Sequence, residues 1–243
     1  VKPPTAGYDW QYDDIYADPL AWLHEGTIDF ISPQIYWPRK GSSPFTPIAE
    51  WWQYVADHFG RHNYISMASY RVSEELFGGN NADGGWSEFV AQVEIGRELA
   101  PSTSGQVYFS AAHFDGPVAW GLGDWLENKV YQRPSLIPPL DWKEHVTYTA
   151  PTGGKFDGRT ISWDATAKPR ENTIMRYTVY AVPLSTSFEE ARSADGDGID
   201  GKYLVDVTYE PSYTMSDELS KRHWYAVCVY DCLLYTSDAA DEE

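Results

Sequence analysis

Gln34, Tyr36 and Trp37 carry the side chains of this sequence best suited to handling sugars. An amide and a phenol exchange hydrogen bonds with hydroxyls, and an aromatic face packs against the C–H face of a sugar ring. The three close the stretch Asp29-Phe30-Ile31-Ser32-Pro33-Gln34-Ile35-Tyr36-Trp37, whose β-branched and aromatic content reads as one strand. Pro33 has no N–H to give to a ladder, so a strand end or bulge is expected there. Tyr70 and Arg71 end a second, mostly apolar stretch, Tyr64-Ile-Ser-Met-Ala-Ser-Tyr70, in the same way. Polar and aromatic groups at the carboxyl ends of buried strands mark the active-site face of a β/α fold. These five residues are therefore the candidate substrate contacts. Trp86 and His113 are weaker candidates, because a lone His is more often a satisfied structural group.

Hydrolysis of a glycosidic bond needs two carboxyls, about 5–5.5 Å apart for retention or about 6.5–9.5 Å apart for inversion. The acids of this chain read mainly as structural. Asp29 opens its strand, at the end of a β/α unit that serves stability. Asp13, Asp14 and Asp18 fall in the first turns of a helix, where they complement its dipole. Glu74, Glu75 and Asp115 follow strands but read as solvated loop charge. No catalytic pair is assigned.

The elements that must position these residues alternate. A Pro- and Gly-containing opening, 1–11, reads as loop. Helical patterns follow over 13–24, 47–59, 86–100 and 118–130, the last broken by Gly121 and Gly123. Tyr16, Leu20 and Leu23 form the inward stripe of the first, and Gly26 and Gly60 stand at C-terminal stops. Between the helices lie the strands 29–37, 64–70 and 105–111. Strands joined by helices of this length are expected to be parallel. Three such strands are too few to be sealed on both faces. They are expected to be the last units of a larger barrel whose front half lies upstream of Val1.

After the Pro-rich linker 134–141 the hydrophobic period becomes two. Short strands are expected over 160–163, 175–182, 203–207, 212–215 and 224–230, with turn clusters between them. This is a β-sandwich pattern. Trp163 in an early strand and a Tyr in a late one resemble the fibronectin type III module. Asp195-Gly-Asp-Gly-Ile-Asp-Gly has the look of a calcium loop, but Ile199 occupies the fifth position, where an EF-hand needs an oxygen ligand. It reads as a turn.

Composition narrows the partners. The chain has 243 residues, eleven Trp and eighteen Tyr, with 16% aromatics and a net charge of −18. That balance argues against nucleic acid or an anionic membrane surface. Two Cys make neither a disulfide framework nor a metal signature, and no cofactor motif is present. No apolar run approaches the roughly 20 residues of a membrane span. No signal peptide is seen, and the chain opens on Val1 rather than Met.

The tail stands apart. Cys232-Leu-Leu-Tyr-Thr-Ser-Asp-Ala-Ala-Asp-Glu242 back-translates into a sequence that resembles a transposon adapter used in sequencing libraries, so 232–243 reads as non-native. That reading implies a contig from environmental DNA, a truncated C-terminus and a sandwich lacking its last strand. Removing the four acids Asp238, Asp241, Glu242 and Glu243 brings the net charge from −18 to −14.

Tyr16-Ala-Asp-Pro-Leu-Ala-Trp-Leu-His-Glu-Gly-Thr-Ile-Asp-Phe-Ile-Ser-Pro-Gln-Ile-Tyr-Trp37 resembles the best-marked segment of the glycosyl hydrolase-like 10 family. Ala49-Glu-Trp-Trp-Gln-Tyr-Val-Ala is similar to the helix that follows in that family, and Gly105-Gln-Val-Tyr-Phe-Ser-Ala-Ala to its last barrel strand. The resemblance covers roughly 8–138, with the fibronectin-like module appended. It implies a TIM-type barrel, export to the bacterial cell envelope, and hydrolysis of glycan chains, peptidoglycan glycan among them. The family's Asp-rich strand-end motif belongs to the middle of the barrel, and this chain begins after it.

The expectation is thus an α/β partial TIM barrel over 1–133, followed by an immunoglobulin-like, fibronectin III sandwich over 142–231. The whole protein is expected to be a secreted or envelope-anchored, monomeric glycoside hydrolase acting on a polysaccharide. The segment present would be inactive alone, because the catalytic carboxylates lie upstream. The alternative is a non-catalytic carbohydrate-binding or adhesive envelope protein.

Overall fold

A computed structural model describes residues 7–72, 85–99, 104–114, 121–143, 148–168, 173–193, 198–217 and 219–231. The chain divides into two units, Val1–Glu127 and Asn128–Glu243.

In the first unit the Asp18-Pro19 pair splits what reads in the sequence as one helix preceded by a loop. Two helices are found, α1 (Gly7–Ile15) and α2 (Pro19–His24). The Asp18 carboxylate accepts from the Ala21 N–H at 3.0 Å, and Pro19 takes the first helical position, where a missing N–H costs nothing. Proline also disfavours helical backbone at the residue before it. α1 accordingly ends at Ile15, and Tyr16 turns to φ 56°. Tyr16 is 88% exposed rather than inward, whereas Leu23 is buried. Gly26, at φ 67°, stops α2 as its position suggests.

The order continues β1 (Phe30–Ile31), α3 (Phe45–His58), β2 (His62–Ala68), α4 (Trp86–Leu99), β3 (Ser104–Phe109) and α5 (Leu122–Trp125), which runs into a π-helical turn over Leu126–Val130. The three strands form one sheet in the order β1-β2-β3, and both pairings are parallel. Residues 115–120, which include the first three of the expected fourth helix, lie outside the described residues.

The strand expected over 29–37 is regular for two residues, and Pro33 supplies the reason. Phe30 pairs with His62 and Ile31 with Asn63; after a gap, Gln34 bridges Ser66 in the same register. The Ser66 N–H donates to the Pro33 carbonyl, and the Ile35 N–H donates to the Ser66 carbonyl, both at 3.0 Å. In that register the amide of residue 33 would serve the Tyr64 carbonyl, and proline has none to give. The Ser32 hydroxyl takes its place, donating to the Tyr64 carbonyl at 2.7 Å. The line of the strand therefore survives its interruption and carries Gln34 to Trp37 onward.

One face of the sheet lies on the helices. Ile31 joins Leu23, Trp51, Val55 and Ala56 in a core cluster, each large side chain contributing about 1.5–3 kcal/mol. Buried Asn63 donates to Gln53 of α3 at 3.2 Å, and Gln53 donates to Asp57 at 2.8 Å. Gln106 of β3 donates to the Val93 carbonyl of α4 at 2.7 Å. Gly96 makes that approach possible, since a Cβ there would meet the Gln106 amide at 2.6 Å. The opposite face carries Phe30, Tyr64, Ser66, Val107 and Phe109 by strand alternation. Its outer positions are open among the described residues, Phe30 being 52% exposed, Val107 44% and Phe109 54%, while Ser66 and Ala68 between them are buried.

The second unit follows the period of two. β4 (Lys155–Phe156), β5 (Thr160–Ser162) and β8 (Ser212–Thr214) form one antiparallel sheet, and β7 (Leu204–Thr208), β6 (Met175–Pro183) and β9 (His223–Asp231) form another. Both contribute to a core of Tyr148, Ile161, Trp163, Met175, Tyr177, Val179, Met215 and Val229. Trp163 meets Tyr177 edge-on at 5.3 Å. The other face of β6 is covered too. Tyr180, Val182 and Cys228 pack with Ala191 of a short helix, α6 (Phe188–Ala191), and with Ile199. Ser187 and Glu190 form the capping box of α6. Of the calcium-like stretch, 195–197 lies outside the described residues; Ile199 is buried, and Asp200 accepts from the Lys202 N–H at 2.9 Å. Cys228 is buried and outside any disulfide, and 232–243 lies outside the described residues. Among the described residues no helix is long and apolar enough to cross a membrane.

Candidate functional site

The carboxyl ends of the three parallel strands converge on a group of rings. Tyr36 arrives from the interrupted first strand, Tyr70 from the 3-10 turn Ser69–Arg71 after β2, Phe109 from the last position of β3, and His113 from the 3-10 turn Ala111–His113. Tyr36 stacks on Phe109 with centroids 6.2 Å apart and planes at 30°. Tyr70 stands edge-on to both rings, also at 6.2 Å, and lies 6.1 Å from the His113 ring. The phenol of Tyr36 is 3.1 Å from the Ser66 hydroxyl, which fixes the ring over β2. His113 Nδ1 is held at its own turn, 3.4 Å from the Ser110 N–H and 3.2 Å from the Ser110 carbonyl.

Deeper on the same face, the Tyr64 phenol meets His62 Nδ1 at 3.1 Å, and burial raises its pKa above the usual tyrosine range. The Tyr64 ring occupies the space left by Gly105, where a Cβ would stand 2.7 Å from it.

The five candidate contacts divide by environment. Gln34 and Trp37 are exposed; the Gln34 side chain makes no hydrogen bond, and the Trp37 ring no ring contact, among the described residues. Both are available to a ligand. Tyr36 is half-buried within the ring group, and Tyr70 is 37% exposed at its rim. Arg71 is turned inward, with Nη1 donating to the Tyr36 carbonyl at 2.6 Å. Tyr70 and Arg71 do not extend the strand as expected, because β2 ends at Ala68 and the chain folds into the 3-10 turn. Trp86 lies elsewhere, edge-on to Trp125 at 5.4 Å, where it packs α4 against α5.

Two participants were not among the sequence candidates. Phe109 reads as one more apolar residue of a strand, and its pairing with Ala68 is what places it beside Tyr36 and Tyr70. Ser66 looks like a polar interruption of an apolar run; register puts it under Tyr36. Of the acids, Asp29 stands at the start of β1, away from the ring group, while Glu74, Glu75 and Asp115 lie outside the described residues. Glu88 of α4 is engaged by Arg39, with Oε2 3.1 Å from Nε and Oε1 2.7 Å from the backbone N–H. Among the described residues no cluster of three or more His, Cys, Asp or Glu is placed to hold a metal. Rings and phenols grouped at the strand ends can stack on a sugar and hydrogen-bond its hydroxyls.

Residues 2–87 match the family model described as Glycosyl hydrolase-like 10. Over 150 residues the chain is 34% identical to glycosyl hydrolase YngK of Bacillus subtilis (strain 168), a match covering 60% of this chain and 27% of that protein. Over 121 residues it is 29% identical to glycosyl hydrolase DigH of Escherichia coli (strain K12), covering 49% of this chain and 27% of that protein. The chain thus matches about a quarter of the length of these curated relatives. The family match spans both Gln34 to Trp37 and Tyr70-Arg71; Phe109 and His113 lie beyond it.

Proposed function

We propose that this chain supplies one wall of the sugar-binding cleft of a glycoside hydrolase, and that the whole protein hydrolyses glycosidic bonds in a cell-wall or related polysaccharide. The observation that carries the reading is the group Tyr36, Tyr70 and Phe109 at the carboxyl ends of three parallel strands, with Gln34 and Trp37 exposed on the same segment as Tyr36. Parallel strands with helical crossovers suit a β/α barrel, whose active site lies at that end. In the barrel proposed here the uncovered face of Phe30, Val107 and Phe109 lines the interior. The acid and its partner carboxylate come from the rest of the barrel. That proposal draws on the share of the relatives matched and on the engagement of Glu88 by Arg39. The second unit is read as a fibronectin III-like module, and the protein as exported to the cell envelope.

The test is release of reducing ends from peptidoglycan glycan or a comparable polysaccharide by a protein carrying these residues within the whole barrel. Tyr36→Ala and Phe109→Ala are expected to raise KM sharply. Binding without any release of reducing ends would favour a non-catalytic carbohydrate-binding protein. Neither binding nor release would contradict both readings.

A further inference from the structure

The segment that presents Tyr36 and Trp37 has no regular strand partner beyond Ile35, yet successive backbone groups along it are held by side chains from two other elements. Arg71 Nη1 donates to the Tyr36 carbonyl at 2.6 Å. Gln92 Nε2 donates to the Trp37 carbonyl at 3.1 Å. The Arg39 N–H donates to Glu88 Oε1 at 2.7 Å. Gln92 and Glu88 stand four residues apart on α4, so they share a face of the helix, and Gln92 Nε2 also donates to Glu88 Oε1 at 3.0 Å.

The orientation of Gln92 follows from its neighbours. Both groups it meets, a carbonyl and a carboxylate oxygen, are acceptors, so its NH₂ must face them. Its own Oε1 is then left buried without a partner, in a side chain that is fully buried. A helix that needed only to fill this space would carry an apolar residue and avoid that cost. Glutamine is the side chain here that can bind two acceptors at once.

We propose that Gln92 and Glu88, together with Arg71, are positioning residues that clamp the Tyr36–Arg39 backbone and so set the orientation of the Tyr36 ring and the Trp37 indole toward the sugar. This rests on the sugar-wall reading above. In this arrangement Arg71 acts through the Tyr36 carbonyl.

The experiment compares the whole chain with Gln92→Leu, Glu88→Ala and Glu88→Gln. Hydrogen exchange of the Arg39 amide reads the clamp, and the amides of Ile65 and Met67 on β2 show that the sheet remains intact. Titration with a soluble peptidoglycan glycan oligosaccharide reads the wall. Gln92→Leu and Glu88→Ala are expected to speed Arg39 exchange and weaken glycan binding by about tenfold each, comparable to losing one charge-assisted hydrogen bond. Glu88→Gln keeps an acceptor for the Arg39 N–H and should largely restore both. Unchanged Arg39 exchange in Gln92→Leu and Glu88→Ala would overturn the clamp, whatever the glycan does. Faster exchange in a chain whose wild type binds no glycan would overturn the wall reading and the positioning role with it.

Discussion

Phe109 concentrates the residue-level argument. It ends a parallel strand, keeps 54% of its surface exposed, and stacks with Tyr36. An exposed ring contributes little to stability, so Phe109→Ala should change unfolding free energy by no more than about 0.5 kcal/mol in urea titrations. The same change should remove about 1 kcal/mol or more of glycan binding, measured by calorimetry, if the ring is a stacking platform. Gln34, Tyr36, Trp37 and Tyr70 stand out in the sequence because their types are unusual at the end of an apolar run. Phe109 does not, since a Phe among strand residues carries no such mark until register sets it beside two tyrosines. The bond from Arg71 to the Tyr36 carbonyl is not legible in the sequence, because the two residues lie 35 positions apart.

At the scale of elements, proline and its neighbours explain most departures from the hydrophobic pattern. Asp18-Pro19 breaks one expected helix into two, and Ser32-Pro33 interrupts a strand while preserving its register. Both pairs are visible in the sequence. The compensating bonds from Asp18 and Ser32 are visible only as residue types with the capacity to make them. Asp18→Ala should cost about 1 kcal/mol of first-unit stability through loss of the cap, measured by denaturant unfolding followed through hydrogen exchange of α2 amides. In the second unit the β-branched and aromatic runs mark the longer strands to within a residue or so, and β6 is buried on both of its faces. Tyr180 of β6 tests the depth of that burial. Its phenol is pushed up to about 12, first by burial and then by the neighbouring Cys228 thiol, from an ordinary 10.0. The neutral phenol thus favours the folded state fully below pH 10, and this contribution is lost as pH rises through about 12. Tyr180→Phe removes that ionisation. Its alkaline unfolding midpoint, followed by circular dichroism, is expected to move to higher pH than that of the wild type.

The whole molecule couples a three-stranded parallel sheet with one uncovered face to a unit whose two antiparallel sheets share a core. A broad apolar face in water weakens a unit and exposes its strand edges. Limited proteolysis of the whole chain should therefore remove 1–127 first and leave a resistant product containing 148–231, identified by mass spectrometry. Preferential loss of the second unit would contradict this. Helix-strand alternation announced the parallel sheet, and the change of period after the Pro-rich stretch announced the second unit. The meeting of the rings is a property of three strand ends brought together by register, so no local pattern could have shown it. The most direct test is an aromatic-resonance NMR titration of the whole chain with a soluble peptidoglycan glycan oligosaccharide, with Phe109→Ala as the control. Saturable shifts centred on Tyr36, Trp37, Tyr70 and Phe109, lost in Phe109→Ala, are predicted; shifts confined to the second unit, or none at millimolar glycan, would contradict a sugar wall at the strand ends.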